Sequence, residues 1–355
     1  MTKPLFEEII EKPQREVSGS DSALRFDYQK DWAFCRMLEL HIAGEEYLVA
    51  FEFHDDVVFL DSEGIPRNID FFQVKTQKSP TPRKLSTLTS KKKNGNSILG
   101  KLCQNIIGIC KDYSIKLFLV SNHPYEFSST NVCANSLDEK YRKKITETIK
   151  EEFPELNSNF IDSLYFYVSD IPLNNTQTYL QGQSLELFKK RFGENASYNV
   201  FSWIRLIQGE IKRKNNFPSA QITTVEELKA KKCLGKSFIN TSLDSIEKRH
   251  KNVPDMQIVN SELSQHGWSA IDLMRLGKAY PNAVADYQDP SNNECLKISQ
   301  EIEALLTKYN LNEVGVSKVL GKVYSDLQTS FKIPSPYKDK MYITALILLI
   351  YNEKL

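Results

Sequence analysis

The sequence predicts an α/β domain over residues 1–217, a mixed sheet flanked by helices, followed by an all-α domain over residues 218–355. Three observations carry this. Short β-branched or aromatic runs alternate with segments of 3/4 apolar spacing up to about residue 214. Strand-like runs then cease. Between the two regimes stands Asn215-Asn216-Phe217-Pro218, a stretch with the composition of a linker.

Taken in order, residues 1–13 carry Leu5, Ile9 and Ile10 at helical spacing and stop before Pro13. Residues 14–29 read as a loop, with Ser18, Gly19 and Ser20 allowing close backbone approach. Asp31 is placed to cap the next helix, which presents Phe34, Leu38 and His41. Strands are expected over 47–53, 57–60 and 69–76, with turn chemistry at 61–66. A helix over 97–110, a strand over 115–121, a charged helix over 137–153 and a strand over 164–169 follow. Residues 178–192 and 200–214 read as further helices. Beyond the linker, helical spacing recurs over 225–231, 264–276, 296–309, 314–327 and 338–351. The last of these is almost continuously apolar through Ile343, Leu346 and Leu349, which suits a buried or subunit-contacting helix. A docking or oligomerisation role is expected of this region.

Composition bounds the function. Hydrophobic residues make up 41% of the 355, enough for a sizeable core. The 46 basic residues nearly balance the 45 acidic ones, so any binding of nucleic acid must use a local patch. One such patch exists: from Arg67 to Lys101 stand nine basic residues against the single acid Asp70. Within it, Lys78, Arg83, Lys84, Lys91, Lys92 and Lys93 are the candidates for DNA phosphates. The six cysteines form no Cys-x-x-Cys pair, so neither a zinc site nor a disulfide framework is indicated. The N-terminus has no apolar signal-like core, and 343–351 is far shorter than the ~20 residues that span a bilayer. A cytoplasmic protein without membrane association is expected.

The stretch that carries chemistry is 52–75. Side chains alternate faces along a strand, so Gln73 and Lys75 point the same way. Asp56, heading the preceding strand, can meet them across the hairpin. A carboxylate and an amide oxygen suit Mg²⁺, with Mn²⁺ as the alternative ion. A neighbouring ammonium can orient a water or stabilise charge on phosphorus. The simpler reading is a hairpin whose polar residues face solvent. Asp55 can take the place of Asp56 in this register, and Glu39 on the first helix is a further acid within reach of such a site.

The order Ser18-Gly19, a spacer, Phe26-Asp27-Tyr28-Gln29, a helix, Glu52-x-x-x-Asp56-Val57 and Gln73-Val74-Lys75 resembles one nuclease domain. It is the PD-(D/E)XK endonuclease domain, in its Gln-x-Lys variant, of effectors associated with CD-NTases in CBASS anti-phage systems. The same domain recurs in Lamassu-type and HerA-linked defence systems. The resemblance covers roughly residues 14–215 and implies a restriction-endonuclease-like core, in agreement with the element order. It implies a Mg²⁺-dependent endonuclease acting on double-stranded DNA. Asp56 and Gln73 would be the metal-side residues and Lys75 the catalytic lysine, with Glu52 and Gln29 at the family's further acidic positions. The C-terminal part does not resemble the cyclic-oligonucleotide sensor of the CBASS effectors. Control by a partner, an SMC-like or HerA-like ATPase, and a homo-oligomer when active are therefore expected. The alternative is a catalytically weak nuclease-like module for DNA binding or assembly.

Overall fold

The computed structural model describes residues 18–91, 95–109, 112–194, 198–311 and 315–354. The helix expected over 1–13 lies outside them, as do Lys92, Lys93 and Cys110. The chain forms two units: Met1–Lys190 with Glu210–Lys236, and Arg191–Gly209 with Ser237–Leu355.

The first unit is built on seven strands: β1 (Leu48–Phe53), β2 (Asp55–Leu60), β3 (Asn68–Lys75), β4 (Ser114–Ser121), β5 (Val132–Cys133), β6 (Leu164–Val168) and β7 (Cys233–Gly235). Their order is β5-β6-β4-β3-β2-β1-β7. The first three strands form an antiparallel meander, and β3, β4 and β6 run parallel. Both outer strands are antiparallel to their neighbours, so the sheet is mixed, as the sequence predicts.

Helices cover both faces. The longest, α1 (Ser18–Ala43), lays Trp32 against Phe72 of β3, ring centroids 5.1 Å apart. The opposite face is covered by α2 (Leu85–Thr89), α3 (Ile98–Cys103), α4 (Glu139–Glu152) and α5 (Phe160–Ser163). Leu85, Leu99, Ile145 and Phe160 from these helices share one buried cluster with Ala50, Val58, Phe71 and Leu117 of the strands. Farther along lie α6 (Thr176–Phe192), α7 (Val200–Asn216) and α8 (Val225–Lys232).

Four expectations need correction. Residues 18–29 are helix, not loop. Tyr28 is buried, and its hydroxyl donates to Ser169 Oγ and the Ile171 carbonyl, 3.0 Å each; this packing overrides the weak helix propensity of Ser-Gly-Ser. Asp31 therefore sits inside α1, where its Oδ2 accepts from Thr176 Oγ1 at 2.7 Å and Gln177 Nε2 at 2.9 Å, at the start of α6. The helix expected over 97–110 ends at Cys103, tightens to a 3₁₀ turn at Gln104–Ile106 and is stopped by Gly108 at φ +85°. Finally, the helix expected over 264–276 is two helices, broken at Gly267, whose φ of +87° only glycine adopts readily.

The second unit is helical: α9 (Lys236–Lys251), α10 (Met256–Gln265), α11 (Ala270–Gln288), α12 (Asn293–Leu306), α13 (Val316–Ser330) and α14 (Lys340–Lys354). Every residue from Tyr342 to Tyr351 of α14 is buried, as expected of a helix that is apolar all round. Leu276, Ile298, Ile302, Val319 and Val323 pack in the same cluster. Trp268 lies against it and donates to Ser317 Oγ at 3.1 Å.

Candidate active site

One face of the sheet changes character along its length. Leu48 and Ala50 of β1, Val58 of β2 and Phe71 of β3 are core residues beneath α2–α5. Two residues farther on, with the same parity, that face carries Glu52, Asp56 and Gln73, and two beyond Gln73 stands Lys75. Glu52, Asp56 and Gln73 line an open cleft of about 960 Å³ together with His54, Asp55, Lys101, Asn105 and Ser219; Lys75 is not in the lining and reaches the site through Asp56.

Three of the predicted side chains, Glu52, Asp56 and Gln73, share that cleft, and Asp56 links them to Lys75. Asp56 Oδ2 accepts the Val74 N–H at 2.8 Å and the Lys75 ammonium at 3.3 Å. Gln73 is 8% exposed, and its Oε1 is buried with no hydrogen-bond partner. Buried carbonyl oxygens are ordinarily paired, so an orphaned one beside a carboxylate fits a cation ligand. The β1–β2 pairs Phe51↔Val57 and Phe53↔Asp55 bracket Glu52 and Asp56, which stand opposite each other without pairing. Glu52 instead takes φ +48° and His54, at the tight turn between the two strands, φ +66°, left-handed backbone that non-glycine residues adopt rarely. Burial, then repulsion from Asp56, pushes the Glu52 carboxyl above its ordinary value.

Asp55 takes a different path. Its Oδ1 accepts the Asp56 N–H at 2.9 Å, and its Oδ2 accepts from Asn105 Nδ2 at 2.8 Å. Burial, then the charge of Asp56, raises its carboxyl to about 7.

Gln29 sits within α1 rather than at its start, and its Nε2 donates to the Val74 carbonyl at 3.3 Å. It supports the backbone of β3 from the helix side and is not among the side chains lining the cleft. Glu39 pairs with Arg36 at 2.8 Å and also lies outside the lining. The basic run separates into distinct groups. Lys78 and Lys84 are exposed, and Lys91 pairs with Glu151 at 3.5 Å. Arg83 is buried: it donates to the Lys75 carbonyl at 2.8 Å and to Ser121 Oγ at 3.2 Å, locking the ends of β3 and β4 together. A charge count cannot separate such an internal cation from a surface one.

A family model described as the Cap4 dsDNA endonuclease domain matches residues 17–215. The chain belongs to the Cap4 nuclease family. The Cap4 match spans the whole meander, the parallel strands and every predicted site residue. No curated protein and no solved structure matches the chain. Asn105, Lys101 and Ser219 are cleft residues that sequence reading missed. Lys101 lies on α3 and Asn105 on the 3₁₀ turn that follows it, neither in a motif of its own, and Ser219 follows the matched Cap4 segment. No helix among the described residues is long and apolar enough to cross a membrane.

Proposed function

We propose that this Cap4-family chain is a metal-dependent endonuclease for double-stranded DNA, an anti-phage effector released or assembled by a partner ATPase of SMC-like or HerA-like type. The observation that carries the chemistry is the contact of Asp56 with Lys75 at 3.3 Å beside the orphaned Gln73 Oε1. Asp56 and Gln73 are the oxygen donors for Mg²⁺ or Mn²⁺, which usually binds through one or two carboxylates plus substrate phosphate oxygens. Such an ion, when bound, polarises the phosphodiester and acidifies a water. Lys75, anchored by Asp56 and by the Arg83 grip on its carbonyl, presents its ammonium to the attacking water or the charge developing on phosphorus. Glu52, facing Asp56, supplies a second carboxylate at the cleft, and Gln29 holds the Val74 carbonyl between the two reactive positions of β3. Lys78, Lys84 and Lys91, with Lys92 and Lys93, serve the DNA backbone through sequence-independent phosphate contacts. A nuclease that cuts any duplex must be restrained in its host. That need supports control through a partner and through self-association.

The test is plasmid cleavage with Mg²⁺ by the wild type, Asp56→Ala and Lys75→Ala. Each variant is expected to lose roughly 10²- to 10⁴-fold in rate; undiminished cutting by both refutes the site. A second reading, a nuclease-like fold used for DNA binding or assembly, has one observation in its favour. Gln73 places a neutral amide where a carboxylate would add negative charge for the cation. Calorimetric titration separates the two: absent Mg²⁺ and Mn²⁺ binding with intact DNA affinity favours the module.

A further inference from the structure

We propose that residues 217–235, which follow the matched Cap4 segment, form a strap that completes the active site, with Ser219 and Lys232 as positioning residues for Glu52. The inference rests on the reading of Glu52 as part of the reaction centre.

Glu52 is the residue that needs holding. Its φ of +48° is unfavourable for a side chain with a Cβ and persists only where surroundings enforce it. The strap supplies the enforcement. Ser219 Oγ donates to the Glu52 carbonyl at 2.5 Å, a contact spanning 167 residues of sequence, while Ser219 itself forms part of the cleft wall.

The strap is tied down on both sides of Ser219. Lys232 is fully buried, at 0% exposure, and its ammonium donates to the carbonyls of Phe217 at 3.0 Å and Asn215 at 3.3 Å. Lys214 donates in turn to the Ala230 carbonyl at 2.6 Å. Immediately after Lys232, β7 pairs with β1, Cys233 standing opposite Ala50, two residues before Glu52. Burial lowers the proton affinity of the Lys232 ammonium, and the carboxylate of Glu52 acts the other way, so the two groups favour each other's charged form. Of the charges acting on Glu52, Asp56 is repulsive while Lys232 and Lys75 are attractive. Lys232 thus offsets the repulsion that two facing carboxylates create, and Ser219 fixes the backbone from which one of them projects.

The test uses the full chain. Ser219→Ala is expected to lower kcat for plasmid cleavage roughly 10- to 100-fold, the usual range for removing a supporting partner. KM for DNA should hold within about twofold, because the groups that bind phosphate are untouched. Ser219→Thr, which keeps the hydroxyl, should recover most of the rate. In single-turnover assays Glu52→Gln combined with Ser219→Ala should be no slower than Glu52→Gln alone, since the serine acts through Glu52. Wild-type cutting by Ser219→Ala, additive losses in the double variant, or a loss that tracks a lowered melting temperature without rescue by threonine would each overturn the strap. Asp56→Ala in the same assay keeps the two readings apart. If it is inactive and Ser219→Ala is unimpaired, only the strap falls; if it cuts normally, the site reading falls and the strap with it.

Discussion

Asp55 and Asp56 are chemically identical neighbours that the fold treats differently. Asp56 turns toward the Lys75 ammonium and the Val74 N–H, while Asp55 turns toward Asn105. The spacing of Asp56, Gln73 and Lys75 was legible because strand parity puts all three on one face. The choice between the two aspartates was not, because it depends on Asn105, 50 residues away. Asp55 also gives a pH signature. Its carboxyl is raised to about 7, so the native state holds that proton more tightly than the unfolded chain does. The stabilisation is complete below the unfolded value of ~3.9 and is lost as pH rises through about 7. Asp55→Asn, which cannot ionise, should therefore be the more stable protein near pH 8, by roughly 1–2 kcal/mol, a figure reduced because the group lines an open cleft. Near pH 4 the two should be equal. Urea denaturation midpoints in the presence of chelator measure this, and a difference that grows as pH falls would contradict the assignment.

At the scale of elements, the junction of β3 and β4 depends on Arg83. Its guanidinium bridges the Lys75 carbonyl and Ser121 Oγ where these parallel strands end. Arg83→Met keeps the apolar stem but leaves the carbonyl and the hydroxyl without that donor. A loss of about 1–3 kcal/mol in stability is expected, together with slower cleavage, because Lys75 loses its backbone anchor. Substitution of the exposed Lys84 should leave stability within about 0.5 kcal/mol of wild type. Paired denaturation and cleavage measurements on Arg83→Met and Lys84→Met check both statements; equal behaviour of the two would count against an internal role for Arg83. Both residues belong to the same basic run, and nothing in their local sequence distinguishes them. The long, strongly periodic elements were legible for a simple reason: α4 and α13 each bury one clear stripe. The start of α1 was hidden because Tyr28, bonded to Ser169 and Ile171, draws a poor helix-forming segment into helix.

For the molecule as a whole, the two kinds of core were visible in the chain: alternating strands with amphipathic helices, and an apolar α14 wrapped by its neighbours. The three-residue β7 was not, since so short a run carries no period. Yet β7 covers the hydrogen-bonding edge of β1, pairing Leu48, Val49 and Ala50 with Gly235, Leu234 and Cys233. The catalytic half is thus not a cassette that can be excised where the family match stops. A fragment truncated after residue 217 would bare the β1 edge, an apolar row of unpaired amides that templates aggregation. Light scattering should find that fragment aggregated and the full chain monodisperse. Grafting this nuclease onto another carrier therefore means carrying along a ribbon of chain that its own family signature leaves out.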